Sequence, residues 1–257
     1  NVLYLSYDGL TDTLGRSQVL PYILGLCQKG HTYTIVSFEK EARFKSEEKA
    51  IRELILPHKI DWIPLKYTSS PPVFSTVYDV LKLKRTVKKL HKKKNFDIVH
   101  CRSYITSLAG ISLKQKFGVK FIFDMRAFYA DERVDGGLWN LKNPVYRRVF
   151  NYFKNKEKQF LQTADHTISL TEKGRNIIHG WKEVKNQPVS IEVIPCCADL
   201  AHFHPSQVNL SLQTELKQQF GLRENDLVLT YLGSIGTWYL LDEMLDFFKV
   251  YRSQNLT

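Results

Sequence analysis

Short apolar runs recur along this 257-residue chain, and each gap between them is filled by a longer stretch of helical character. The runs at 2–6, 33–38, 61–65, 98–101, 121–124, 166–169 and 190–194 are rich in Val, Ile, Phe or Tyr and bounded by polar or turn residues, which predicts strands. In one gap, Val80, Leu83, Val87 and Leu90 form an apolar stripe at helical spacing. In another, Ser17 is a plausible N-cap for a helix reaching Lys29, with Gly30 just past its end and Pro21 near its first turn, where proline is tolerated. A long helix is expected from Pro144 to about Thr163. Repeated strand–helix–strand units cross over right-handedly and lay their strands parallel in a sheet covered on both faces. Residues 1–195 are therefore expected to form an α/β domain, a Rossmann-like doubly wound parallel sheet.

Beyond residue 195 the character changes. Ile194-Pro195-Cys196-Cys197-Ala198-Asp199 leads through His204-Pro205 into a polar stretch, and residues 196–225 read as an interdomain segment. Residues 213–220 suggest a helix, 227–232 a strand and 240–251 an amphipathic helix, with Gly233-Ser234-Ile235-Gly236-Thr237 as the intervening loop. This is the pattern of the first β-loop-α unit of a second α/β domain at 226–257. One strand and two helices bury little apolar surface, so the expectation is a second domain truncated early.

Several classes are excluded or disfavoured. No apolar run approaches the roughly 20 residues that cross a bilayer, and the first residues read as a strand rather than a leader. A cytoplasmic protein is expected, with membrane association at the cytoplasmic face as a further option. Cys27, Cys101, Cys196 and Cys197 form no C-x-x-C pair, and no histidine completes a zinc spacing, so no metal is expected. The net charge of +11 points to an anionic partner without choosing among nucleotide phosphates, anionic lipid and nucleic acid.

Ligands of open α/β sheets bind at the carboxyl ends of the strands, so the loops there hold the candidate residues. The loop after the first run, Tyr7 to Arg16, carries Gly9 and Gly15, which let backbone approach a ligand ahead of a helix N-terminus. It is not G-x-G-x-x-G, which leaves out a dinucleotide fingerprint. Arg16 at a helix start opposes the helix dipole, a cost that favours a functional role. After the fourth run come His100, Arg102, Ser103 and Tyr104; an imidazole there can donate to a developing oxyanion. The loop after the fifth run is the densest, with Asp124, Arg126, Asp131, Glu132 and Arg133 among aromatics and the pair Gly136-Gly137. Carboxylates and guanidinium groups hydrogen-bond sugar hydroxyls while rings cover sugar C–H faces. Residues 82–94 hold eight Lys and Arg and no acid, a cationic helix face that either is merely solvated or meets lipid headgroups or nucleic acid. Aromatic interleaving for base stacking is missing from it.

Four stretches together resemble the retaining GT-B glycosyltransferases of glycosyltransferase family 4. They are Gly15-Arg16-Ser17-Gln18-Val19-Leu20 through Lys29-Gly30-His31, then Asp97-Ile98-Val99-His100, then Ala164-Asp165-His166-Thr167-Ile168-Ser169, and Val193-Ile194-Pro195 through Phe203-His204-Pro205. The resemblance implies an N-terminal acceptor domain and a C-terminal domain for a nucleoside-diphosphate sugar, with transfer in the cleft and no required metal or cofactor. Carried over by position, Gly15 is the family's glycine-loop residue and His100 its end-of-strand histidine; the residues themselves add the expectation that His100 and Asp124 serve transfer and that Gly15, Arg16, Arg102, Arg126, Asp131 and Glu132 stand on the acceptor side. Gly233, Ser234, Gly236 and Thr237 would face the donor phosphates. The implied activity is hexosyl transfer with retention, and the basic face at 82–94 adds the expectation of a carbohydrate or lipid-linked acceptor in cell-surface polysaccharide or glycolipid synthesis. There are departures. Ser234 stands where the family usually has arginine, the lysine-glycine pair that commonly follows is not evident, and Phe123 replaces the histidine that often precedes Asp124. Two other readings stay open: a sugar-nucleotide epimerase of the same fold, and a non-catalytic module binding anionic lipid or nucleic acid through residues 82–94.

Overall fold

Every residue of β1 (Val2–Ser6) is buried. A strand buried on both faces belongs inside a parallel sheet. After β1, one wide helical turn (Gly15–Val19) leads into α1 (Leu20–Gln28) and β2 (Tyr33–Glu39), also buried throughout. Then follow α2 (Glu41–Ile55), β3 (Asp61–Lys66), α3 (Phe74–Lys94), β4 (Ile98–Arg102), α4 (Ser103–Phe117) and β5 (Lys120–Asp124). The unit closes with α5 (Tyr129–Asp135), α6 (Pro144–Thr163), β6 (His166–Ser169), α7 (Glu172–His179), α8 (Lys182–Lys185) and β7 (Ile191–Val193). All seven strands are parallel, in the order β3-β2-β1-β4-β5-β6-β7. This is the doubly wound, Rossmann-like α/β sheet expected from the alternating pattern. The structure, a computed structural model, describes residues 1–185, 189–200, 203–224, 226–233, 235 and 239–255. The chain divides into two units, Asn1–Cys196 and Cys197–Thr257.

The core lies on both faces of the sheet. On one face, Val19, Leu20 and Ile23 of the α1 region and Ile51 and Ile55 of α2 pack on Val2, Tyr4, Tyr33 and Ile35. On the other, Val80, Leu83 and Val87 of α3, the apolar side of α4, and Phe153 and Phe160 of α6 pack on Leu3, Leu5, Val99, Phe121 and Phe123. Strands β4 to β6 are sealed less evenly. Val99, Cys101, Phe121 and Phe123 are buried, whereas Ile98, His100, Ile122 and Ile168, on the opposite face, are only half-buried. That half-open face is where the site forms.

Local chemistry explains most boundaries. α6 starts where Asn143 caps it, its Oδ1 accepting from the Val145 N–H at 2.9 Å, with Pro144 at the first helical position. Gly30, just past α1, adopts φ 90°, as a C′ residue does. The first helix differs from expectation: the chain is already helical at Thr13, and Ser17 lies inside the helix rather than capping it. The Asp12 carbonyl accepts from the Arg16 N–H, and the Ser17 hydroxyl donates back to the Thr13 carbonyl, so the helix is seeded one turn earlier. The dense segment after β5 also differs from a plain loop, because it folds into the short helix α5. Asp131 and Glu132 in its first turn favour that helix electrostatically.

The second unit contains α9 (Leu210–Gln219) and α10 (Leu241–Asn255). Residues 227–232, expected as a strand, form none, and Leu227, Leu229 and Leu232 are exposed. A strand exists through its ladder, and among the described residues this unit offers no second strand to pair with.

Candidate functional site

In-register pairing of parallel strands brings the candidate residues together. Tyr4 of β1 lies level with His100 of β4, and Arg102 of β4 level with Asp124 of β5. Side chains two apart on a strand share a face, so Tyr4, His100, Arg102 and Asp124 all rise from the half-open face at the carboxyl end of the sheet. The two chain exits beside them are sharply bent. Ser103, directly after β4, has φ 67°, and Arg126, two residues after β5, has φ 63°, both in the left-handed region. Such backbone costs non-glycine residues on the order of 1–3 kcal/mol and concentrates at functional sites. Here it turns Arg126 back over the strand ends.

The resulting cluster is compact. His100 Nε2 lies 3.6 Å from Asp124 Oδ2, and Arg126 Nη1 3.9 Å from Asp124 Oδ1. Arg102 and Arg126 both donate to one atom, Gln18 Oε1, at 3.1 and 2.7 Å. Arg102 also reaches Asp8 at 3.4 Å, and Arg126 reaches the Cys196 sulfur at 3.5 Å. The Tyr4 ring sits 4.7 Å from the imidazole; burial, and then the charge of Asp124, push its phenol well above the usual range. Two buried atoms, His100 Nε2 and Asp124 Oδ1, have no hydrogen-bond partner among the described residues. Buried polar atoms nearly always make a hydrogen bond, so a donor and an acceptor held beside each other without one are fitted to bond something that enters the site.

Gln18, His100, Asp124 and Arg126 line a cavity of about 310 Å³ whose remaining walls, apart from His31, are mainly apolar, formed by residues such as Tyr22, Leu26, Ile98, Ile122, Ile168 and Ile194. A pocket of this size, mostly apolar with a few convergent polar groups, is the ordinary form of a small-molecule site.

The structure joins His100, Arg102, Asp124 and Arg126. Other expected residues stand elsewhere. Gly15 is buried against its own loop, close to Gly9 and Leu10. Arg16 turns outward to Glu47 of α2 at 2.7 Å, and that carboxylate offsets its awkward place near a helix start. Asp131 is paired with Lys154 of α6 at 2.8 Å, and Lys154 also holds the buried Glu157 at 2.7 Å. Glu132 is exposed, although partial desolvation raises its carboxyl above the usual range. Gly233 lies in the second unit, with the Tyr231 hydroxyl 2.9 Å from where a Cβ would stand. Ser234, Gly236 and Thr237 lie outside the described residues.

Sequence reasoning passed over Gln18, Asp8, Tyr4 and Glu39. Glu39 ends β2, is buried, and accepts from the Leu10 and Thr11 N–H groups at 2.8 and 3.2 Å, which holds the glycine loop in place. Its signal was an acid closing an otherwise apolar strand. Gln18 carried no signal of its own, since a glutamine in a first helix is ordinary.

A parallel sheet in this order, with a polar cluster at its carboxyl edge, defines a Rossmann-like domain. Residues 19–202 match the model of Glycosyltransferase Family 4, and the chain belongs to that family. No curated protein matches it. Among solved structures, a glycosyltransferase from Rickettsia africae aligns with TM-score 0.52 and 15% identity over 87% of this chain and 50% of that one. Sucrose-phosphate synthase from Thermosynechococcus elongatus aligns with TM-score 0.53 and 14% identity over 88% of this chain and 53% of that one. A ugt transferase from Siraitia grosvenorii, in complex with UDP, aligns with TM-score 0.50 and 11% identity over 85% and 55%. At such identities the likeness is one of fold, and this chain spans about half the length of these structures.

Proposed function

We propose that this chain forms the acceptor side of a glycosyltransferase that moves a hexosyl unit from a nucleoside-diphosphate sugar to an acceptor hydroxyl, with retention of configuration. Family membership supports the reaction class, and the UDP held by the Siraitia grosvenorii structure is consistent with a nucleotide-sugar donor. The observation that carries the reading is that two buried atoms lining the cavity, His100 Nε2 and Asp124 Oδ1, have only long ionic contacts and no hydrogen bond among the described residues. In the reaction the acceptor oxygen bonds to the anomeric carbon as the bond from that carbon to the diphosphate oxygen breaks. The diphosphate leaves with the electron pair, and the hydroxyl proton passes to it. Asp124 accepts from the incoming hydroxyl and fixes its direction, and His100 donates to an oxygen of the sugar in flight. Arg102 and Arg126 hold positive charge where negative charge grows, which preorganised donors do at little reorganisation cost. Gly233 and the loop after it are assigned to the donor phosphates. A cell-surface polysaccharide or glycolipid acceptor suits a mainly apolar pocket that carries a cluster of polar groups.

The test incubates the protein with labelled nucleoside-diphosphate sugars and a panel of saccharide and lipid-linked acceptors. Mass spectrometry reads product, and calorimetry reads acceptor binding whether or not turnover occurs. His100→Ala and Asp124→Asn are expected to lower transfer by about 100-fold and acceptor binding by about tenfold, with unchanged melting. An epimerised donor in place of a glycosylated acceptor would overturn the reaction type. Acceptor binding indifferent to both substitutions would overturn the site.

A further inference from the structure

Helix α3 presents two different outward surfaces along its length. In its first two turns, Phe74, Val77, Tyr78 and Leu81 stand at i, i+3, i+4 and i+7, the spacing of one helix face. All four point to solvent, at 75%, 53%, 57% and 47% exposure. Scattered exposed apolar residues are ordinary, but a contiguous stripe of them marks an interaction site. The inward face of the same helix is satisfied by Val80, Leu83 and Val87 in the core. The outward stripe is therefore a second apolar face that folding this unit does not require.

In the next two turns the same outward face becomes cationic, through Arg85, Lys88, Lys89 and Lys92, all exposed. Among the described residues none of these four is in an ion pair. The helix has one acid, Asp79, and it is turned away. Asp79 is fully buried and accepts from the Tyr7 hydroxyl at 3.0 Å and from the Thr68 N–H and hydroxyl at 3.1 and 2.9 Å. Those bonds pin the start of α3 and fix its rotation. Positive charge is crowded rather than compensated here. Contact with the Lys116 ammonium of α4 holds Lys88 below the usual lysine range, and burial together with Lys156 of α6 does so for Lys84.

We propose that the outward face of α3 docks this protein on an anionic bilayer, its apolar turns seated among the upper acyl chains and its basic turns on the headgroup phosphates. A helix with one apolar and one Lys/Arg-rich surface lies in the membrane interface. Nucleic acid fits less well, because its backbone asks for a continuous basic track with rings interleaved, whereas here ring and charge are segregated along the helix. No helix among the described residues is long and apolar enough to cross a membrane, so this contact is peripheral. It also has a direction. Helices run antiparallel to the strands they follow, so Phe74 lies at the end of the sheet that bears Arg102 and Asp124, and the bilayer surface meets the cleft rim.

The test is co-sedimentation of the protein with vesicles of phosphatidylcholine alone, or of phosphatidylcholine mixed with phosphatidylglycerol. Turnover is not read, so the result stands apart from the transfer reading. Binding is expected to the mixed vesicles only. Lys88→Gln and Lys89→Gln should each weaken it about fivefold. Phe74→Ser combined with Leu81→Ser should remove the binding that persists in high salt, where charge is screened to a few ångströms. All four positions are exposed, so melting should not change. Equal or absent binding to the two vesicle types would overturn the proposal. So would tighter binding to an oligonucleotide, or a dimer that Phe74→Ser dissociates, which would give the face to nucleic acid or to a second copy.

Discussion

Gly15 has an address that only glycine can fill. A Cβ there would stand 2.1 Å from the Gly9 carbonyl oxygen and 2.6 Å from the Leu10 Cα, both backbone atoms that cannot turn aside. Overpacking of this kind costs about 1–3 kcal/mol, so Gly15→Ala should lower stability by about 2 kcal/mol, read from denaturant melts. It should also loosen Gln18, three residues on, and with it the acceptor that Arg102 and Arg126 share. The sequence marked Gly15 as a close-approach glycine and left open what approaches it; the structure answers with the loop's own backbone. At His100 and Asp124 the sequence indicated that each stood at a strand end. Their 3.6 Å separation depends on the register of β4 on β5, which no local pattern encodes.

Asp165, in the turn between α6 and β6, ties three elements together. Its carboxylate accepts from Lys114 of α4 at 2.5 Å, from Lys120 of β5 at 3.1 Å and from the Phe121 N–H at 2.8 Å. Burial pushes its carboxyl up, but these partners outweigh burial and hold it at about 2. An unfolded aspartate titrates near 4, so the folded state releases the proton more readily. The stabilisation is therefore complete above about pH 4 and is lost as pH falls toward about 2. After allowance for solvent screening it is about 1 kcal/mol. Asp165→Asn should cost that much at pH 7 and progressively less toward pH 3, measured by urea melts at both. The seven strands of the sheet and α6 were legible within a residue or two, because their apolar period and caps are local, whereas the strand expected at 227–232 does not form. The first helix was misread at its start because the deciding bonds, from Arg16 to Asp12 and from Ser17 to Thr13, belong to a loop folded on itself.

Across the whole chain, the two units should answer hydrogen exchange differently. Amides of β1 and β4, paired on both sides in the sheet, are expected to open only with the unit as a whole. Those of residues 227–232, exposed and without a ladder, should exchange near the unfolded-chain rate. Protection at 227–232 comparable to β4 would show a strand partner and refute this. The contrast also separates two kinds of information. Alternating apolar runs and helical stretches determined by themselves that the first seven runs form a wound parallel sheet, since backbone pairing and burial leave a chain so patterned few other choices. Which loop residues meet was decided by tertiary structure alone. Strand order, register and two left-handed turns carry His100, Arg102, Asp124 and Arg126 to one edge, while ion pairs draw Arg16 to Glu47 and Asp131 to Lys154. Charge and composition travel with each residue along the chain, but distance between residues far apart in sequence is a property of the folded packing.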